Sequence, residues 1–186
     1  NKNFPFYFVQ IAPFNYDNPK GIDAAVVRDA QFKTMLTVPK TGMVVSNDIG
    51  NLKNIHPTNK QDVGTRLALW ALSKDYGKSN LEQSGPIYKS MKITKRKVTL
   101  HFDHASSGLM QKGKQLAEFY IAGDDQKFYP AKAKIKNNTV IVSANEVKNP
   151  VAVRFAFTNA ALPNLFNKEG LPASAFRTDT WKIELK

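Results

Sequence analysis

Two rhythms of apolar and polar positions divide the chain. Up to about residue 77, short apolar runs alternate with stretches of helical spacing. Phe6-Tyr7-Phe8-Val9-Gln10-Ile11-Ala12 reads as a buried strand of parallel type, apolar on both faces. The Asn-, Asp-, Pro- and Gly-containing segment from Pro13 to Gly21 reads as a loop. Asp23 is placed to cap a helix over Ala24 to Leu36. Pro39 and Gly42 punctuate, and Met43-Val44-Val45 gives a second strand. Asn59 is placed to cap a helix reaching about Tyr76, with Asp62 in its first turn. Val63, Leu67, Trp70 and Ala71 recur at helical spacing and predict a core-facing stripe, and Gly77 ends the helix. This strand-helix-strand-helix order predicts the tail of a doubly wound α/β sheet. Two strands offer too little sheet for two helices, so the segment calls for strands from elsewhere.

Beyond Gly77 the helical rhythm stops. Strand-like runs appear at Ile87 to Ile93, Lys97 to Phe102, Glu118 to Ala122, Ala131 to Ile135, Thr139 to Ser143 and Ala152 to Thr158. Lys95-Arg96, Gly123-Asp124-Asp125 and Asn137-Asn138 supply turns between pairs. That spacing predicts an antiparallel β-sandwich. The division falls at residues 78–84, giving an α/β part over 1–80 and a sandwich over 81–186. Pro163 to Trp181, rich in Pro, Asn, Gly and Phe, reads as an ordered loop wrapping the surface. There is no internal repeat and no low-complexity segment.

Composition narrows the function classes. No apolar run reaches the roughly 18 residues a membrane helix needs, so no membrane partner is expected. Asn1 to Phe6 lacks the basic region and longer apolar stretch of a signal peptide. The chain opens without Met and inside a strand pattern, which reads as a piece of something longer. Cysteine is absent, which excludes disulfides and thiolate metal sites. The formal net charge of +12 invites a nucleic-acid reading. Its distribution argues against one, because most of the excess is single lysines such as Lys132, Lys134 and Lys136. These alternate with Ala131, Ala133 and Ile135, a pattern that sets them on one solvated face. The tight cluster Lys95-Arg96-Lys97 falls at a hairpin turn. A nucleic-acid partner is therefore not expected.

Candidate chemistry centres on His56. The strand ending near Val45 runs through Ser46-Asn47-Asp48-Ile49-Gly50 and Asn51-Leu52-Lys53-Asn54-Ile55 to His56-Pro57, with a helix after it. That presents His56 at the C-terminal edge of a sheet, where open α/β folds keep their sites. There it can act as a general base, or it can cap the next helix or pack under Pro57. Asp48 can orient the imidazole or cap its own turn. Arg28 and Gln31, at i and i+3 on the first helix, either reach the site or tie the helix to the sheet. His101, Asp103 and His104 resemble a metal-ligand string, but no thiolate or glutamate cluster supports one. No metal or cofactor is expected. Phe166, Phe176 and Trp181 either stack on sugars or pin the terminal segment. G-x-S-x-G, P-loop and G-x-G-x-x-G motifs are absent.

Longer strings carry more information. They are Phe8-Val9-Gln10-Ile11-Ala12-Pro13-Phe14, Arg28-Asp29-Ala30-Gln31, Thr41-Gly42-Met43-Val44-Val45, Asn47-Asp48-Ile49-Gly50 and Asn54-Ile55-His56-Pro57. Asn59 to Gly64, Arg66 to Leu72, Ser84 to Met91, Asn149 to Phe155, Pro163 to Asn167, Gly170 to Ser174 and Phe176 to Asp179 continue the series. Together, and in this order, the chain resembles the C-terminal part of bacterial sialate O-acetylesterases, of the SGNH (GDSL-like) hydrolase superfamily. The resemblance implies the tail of a flavodoxin-like sheet and a metal-free esterase removing O-acetyl groups from sialic acid or other acetylated sugars. It makes His56 the family's catalytic histidine. The superfamily often carries an acid three residues before that histidine. Here the position is Lys53, which leaves Asp48 as the nearest candidate acid and Asn54 as an alternative orienting group. The resemblance places the serine and its oxyanion-hole partners in an N-terminal half outside this chain. It implies that this piece is inactive alone, and that the protein works in the periplasm or outside the cell. The competing reading is a noncatalytic carbohydrate-binding or interaction module.

Overall fold

The structure, a computed structural model, describes residues 4–184. Asn1, Lys2 and Asn3, part of the stretch read above as unlike a signal peptide, lie outside the described residues. The α/β order expected from the sequence is present: β1 (Phe6–Val9), α1 (Asp23–Thr37), β2 (Thr41–Val44) and α2 (Lys60–Lys74). β1 and β2 pair in parallel, Phe6 opposite Thr41 through Val9 opposite Val44. Trp70 of α2 packs on β2 and donates its indole N–H to the Met43 carbonyl at 3.1 Å. Gly42 makes that approach possible, since a Cβ there would sit 2.5 Å from the Trp70 ring. Phe32, Met43, Val45 and Ile87 form a small core under this layer.

The second part is antiparallel. One four-stranded sheet runs β3 (Ile87–Thr94), β4 (Lys97–Asp103), β9 (Thr139–Ser143) and β8 (Lys132–Lys136) in spatial order. The other runs β12 (Phe176–Arg177), β10 (Ala152–Phe155), β6 (Phe119–Ala122) and β7 (Phe128–Pro130). A short pair, β5 (Leu109–Gln111) with β11 (Leu165–Asn167), completes it. The hairpins turn at Lys95-Arg96 and Asn137-Asn138, where Lys95 and Asn137 take φ of 54° and 52°. Val98, Leu100, Val140 and Val142 of the first sheet share one core with Phe119, Ile121, Val153 and Phe155 of the second. Tyr88 of β3 stacks on Phe176 of β12 at 4.8 Å, which joins the two sheets directly. Lys132, Lys134 and Lys136 are exposed and alternate with half-buried neighbours, as the pattern implied.

Three expectations need correction. The run Ala152 to Thr158 stops as a strand at Phe155, because Ala156 adopts φ 52° and turns the chain out of the ladder. Pro163 to Trp181 is not a surface wrap. It holds β11 and β12, and Leu165, Phe166, Asn167, Ala173 and Phe176 are all 1% exposed or less. Asn167 explains how this polar segment can be buried. Its amide donates to the Ser84 and His104 carbonyls and its oxygen accepts from Leu171 N–H, so no polar atom of that side chain is left over.

The third correction concerns the start of α1. Asp23 is the first helical residue, and Ile22 stands at the cap position with no side-chain capping bond. The cap comes from a residue 135 positions away. Asn159 Oδ1 accepts from Ala24 N–H at 2.8 Å, and its amide donates to the Asn18 carbonyl at 2.9 Å. Its backbone N–H donates to the Gly21 carbonyl at 2.7 Å, and its carbonyl accepts from Phe14 N–H at 3.2 Å. Asn159 is 2% exposed. Replacing it with Ala leaves one donor and one acceptor unmet, a cost of about 1–3 kcal/mol. Urea unfolding should therefore show a clearly lower midpoint for Asn159→Ala. Asn159→Asp, which keeps the accepting oxygen at the helix start, should lose less.

Candidate functional site

The site is built where β1 and β2 end side by side. Their pairing continues past the end of β1, with Gln10 N–H donating to the Val44 carbonyl at 2.8 Å. Ser46 Oγ then donates to the Gln10 carbonyl at 3.0 Å, a side chain standing in for the next rung of the ladder. Gln10 donates onward to the Arg28 carbonyl and to Ser174 Oγ, and Asn47 donates to the Ala173 carbonyl. These polar groups are almost fully buried and fix both strand ends to the antiparallel part.

Asp48 follows in the same loop. Its two carboxylate oxygens receive Arg66 Nη1 and Nη2 at 2.7 and 2.8 Å, a bidentate pair with side chains 8% and 10% exposed. Arg66 Nη1 also donates to the Val45 carbonyl at 2.7 Å. One guanidinium from the second turn of α2 thus holds both ends of the segment Val45 to Asp48. The planar fork of arginine suits this double duty, which a lysine could not reproduce.

Beyond Asp48 the loop is shaped by asparagines. Lys53 N–H donates to Asn51 Oδ1, and His56 N–H to Asn54 Oδ1, each at 2.9 Å. Asn59 caps α2 as expected: it accepts from Asp62 N–H at 3.1 Å and donates back to the Asp62 carboxylate at 2.8 Å. His56 sits exposed between these fixed turns. Its imidazole makes no hydrogen bond to any described residue. The structure therefore keeps Asp48 and His56 in one loop but does not join them, because the carboxylate is engaged by Arg66. Asn54 holds the His56 backbone rather than the ring.

The remaining candidates take structural places. Gln31 accepts from Ile11 N–H at 2.9 Å and donates to the Val9 carbonyl at 3.3 Å, tying α1 to the end of β1. Arg28 is 2% exposed and donates to the Thr158 carbonyl. Burial pulls its guanidinium down to about 10. His104 pairs with Glu82 at 2.6 Å and Asp103 with Lys89 at 2.7 Å. Among the described residues no group of three His, Cys, Asp or Glu side chains is arranged to hold a metal ion. Phe166 and Phe176 are buried pins, while Trp181 packs against Phe128 at 5.7 Å. No helix among the described residues is long and apolar enough to cross a membrane. Sequence reasoning missed Arg66 as the partner of Asp48. The signal was a cation on the same helix as the apolar stripe, one residue before Leu67.

The fold and loop geometry can be set beside known proteins. A solved carbohydrate acetylesterase from Xanthomonas citri superposes with a TM-score of 0.88 and 45% identity, covering 95% of this chain and 41% of that one. This chain is similar to the matching part of a carbohydrate acetylesterase. Sialate O-acetylesterases of rat and mouse are 30% and 29% identical over 168 residues, 83% of this chain. The chain spans 31% of the length of each of these curated relatives. No family model matches it. The resemblance of the sequence strings to sialate O-acetylesterases is thus matched in sequence, and the fold is that of a solved carbohydrate acetylesterase.

The buried Arg66–Asp48 pair makes a measurable demand. Arg66→Leu strands a buried carboxylate and should destabilise by about 3 kcal/mol or more, whereas Arg66→Leu combined with Asp48→Leu should cost less than the single change. Urea midpoints of the two single variants and the double variant check this. A double variant as unstable as the sum of the singles would remove the pair's claim to hold the loop.

Proposed function

We propose that this chain is the histidine-bearing, C-terminal part of a carbohydrate O-acetylesterase, with His56 as its general base. The observation that carries the proposal is the contrast within one loop. The groups around His56 are committed to fixed hydrogen bonds, while the imidazole itself is exposed and uncommitted. The relatedness to carbohydrate and sialate O-acetylesterases supplies the substrate class, an acetyl ester on a sugar. In this reading β1 to α2 is the tail of a flavodoxin-like sheet, and residues 81–186 form a sandwich domain packed against it.

The reaction follows from acyl transfer. A serine contributed by polypeptide outside these 186 residues attacks the acetyl carbonyl, and His56 takes the hydroxyl proton. The tetrahedral intermediate collapses, the ester C–O bond breaks, and His56 returns the proton to the departing sugar oxygen. Water then attacks the acetyl-enzyme with His56 again as base, releasing acetate and regenerating the serine. No metal is required. Asp48 acts here as a positioning residue: through Arg66 it fixes the loop that presents the histidine. Work on extracellular or periplasmic glycans fits this substrate class.

Two measurements test the proposal. In the full-length protein, His56→Ala should lower kcat on an acetylated sugar by roughly three to four orders of magnitude, with KM changed little. Retention of more than about a tenth of the activity would reject His56 as the base. The 186-residue chain by itself should release no acetate above the level of its own His56→Ala variant, and turnover by it would overturn the split of serine and histidine.

A further inference from the structure

The outer face of the β12-β10-β6-β7 sheet holds a hollow. Register sets its floor: Arg154 lies opposite Tyr120, which lies opposite Pro130, and Ala122 lies opposite Phe128. Alternation sends Phe119, Ile121, Val153 and Phe155 inward to the core, so Tyr120, Phe128 and Arg154 face the other way. With Ile22, Phe157 and Thr158 they line an open cavity of about 210 Å³.

The lining is rigid and of two characters. Arg154 Nε and Nη2 donate to the two carboxylate oxygens of Asp179 at 2.9 and 3.0 Å, and the Asp179 side chain is 1% exposed. The clamped guanidinium lies over the Phe128 ring at 4.2 Å and the Phe157 ring at 5.0 Å. Tyr120 is half-buried, and its hydroxyl makes no hydrogen bond to any described residue. Burial, and secondarily Glu118, push that phenol upward, so it stays a proton donor at neutral pH. The half-buried rings of Phe128 and Tyr120, beside an unpaired O–H and a fixed cation, match a pyranose, which has an apolar C–H face and a hydroxyl rim. The volume is below the roughly 300 Å³ at which pockets for drug-sized ligands begin, which suits a single ring.

Position links the hollow to the candidate site. Ile22 stands at the start of α1, and Thr158 precedes Asn159, which grips the loop 13–21. Asn15 of that loop donates its N–H to the Leu52 carbonyl in the His56 loop at 3.1 Å. Cavity and histidine therefore lie at the same end of the molecule, beyond the C-terminal ends of β1 and β2. We propose that this cavity is a pyranose subsite, holding a sugar ring of the glycan other than the one whose acetyl ester is cleaved. The assignment of the ring to an acetylated glycan rests on the esterase reading; the binding itself does not.

The test uses unacetylated probes, so that turnover plays no part. Full-length protein is titrated with cellohexaose, xylohexaose and 3′-sialyllactose, followed by the fluorescence of Trp181 beside Phe128 and by saturation-transfer NMR. At least one probe should bind saturably, with Kd raised about tenfold by Tyr120→Phe, the loss of one hydrogen bond. Phe128→Leu, which keeps apolar volume but removes the ring face, should weaken the same probe. Thermal midpoints close to wild type show that both variants are folded, and Tyr120→Phe decides alone if Phe128→Leu is not. No binding of any probe at about 10 mM, or a Kd that neither variant moves, overturns the proposal. So does hydrogen-exchange protection of the hollow by polypeptide outside these 186 residues. Loss of the esterase reading appears separately, as acetate release insensitive to His56→Ala.

Discussion

The arrangement hangs on Asn159. A pair of parallel strands cannot bury two helices by itself, so β1, α1, β2 and α2 need a second surface. The antiparallel part provides it through a seam of buried hydrogen bonds beside the small core in which Ile87 meets Phe32, Met43 and Val45. Asn159 makes four hydrogen bonds across it, to Phe14, Asn18, Gly21 and Ala24. Arg28 to the Thr158 carbonyl, Gln10 to Ser174 and Asn47 to the Ala173 carbonyl extend the seam toward the strand ends. Gln10 Oε1, Arg28 Nη1 and Asn47 Oδ1 are buried without a partner among the described residues, and a slip would add further unmet donors and acceptors, so the bonds that are made fix one relative placement. Gly21 belongs to the same device: a Cβ there would lie 2.8 Å from the Asn159 amide nitrogen.

That seam also explains which parts were legible in the sequence. β8 and β9 could be read because alternation of Lys with Ala and Ile in one, and a β-branched run with Val140 and Val142 two apart in the other, is a local record of one buried face. Asn59 could be read as a cap because its partner, Asp62, is three residues away. The α1 cap could not, since its donor and acceptor are 135 positions apart and Asp23 offered a plausible local substitute. β5, β7, β11 and β12 have two or three residues each, too few to express a period. The burial of Pro163 to Trp181 was hidden for a related reason. Its Asn, Pro and Gly content resembles a surface loop unless one knows that Asn167 finds three partners inside.

The candidate site divides along the same line. The loop position of His56 was legible from the spacing and the strings around it, both local properties. The surroundings of Asp48 were not, because the deciding group is Arg66, one helix further on. An acid eight residues before a histidine suggests a partner for the ring. A guanidinium that can occupy both carboxylate oxygens in a nearly dry setting outcompetes a neutral imidazole for that carboxylate, since charge-assisted bidentate bonds are the stronger kind. In this structure both oxygens of the acid are engaged in holding the loop.

The two sheet faces that look outward carry different chemistry for a physical reason. On the β3-β4-β9-β8 sheet, Lys92, Thr99, Ile141 and Lys134 stand in one row across the register. Flexible, strongly hydrated cations there keep a sheet ending in the edge strand β8 from pairing with another. On the other sheet the equivalent row is Arg177, Arg154, Tyr120 and Pro130, and Asp179 holds both arginines. Immobilising cation and rings in advance lowers the entropy lost when a ligand settles on them. The lysine face therefore solvates and separates, while the arginine and aromatic face is preorganised. Only the second lies next to the start of α1, and through loop 13–21 it touches the loop that presents His56. A rigid aromatic wall at that end can hold an extended glycan in register with a histidine whose own loop is pinned by asparagines and by Arg66.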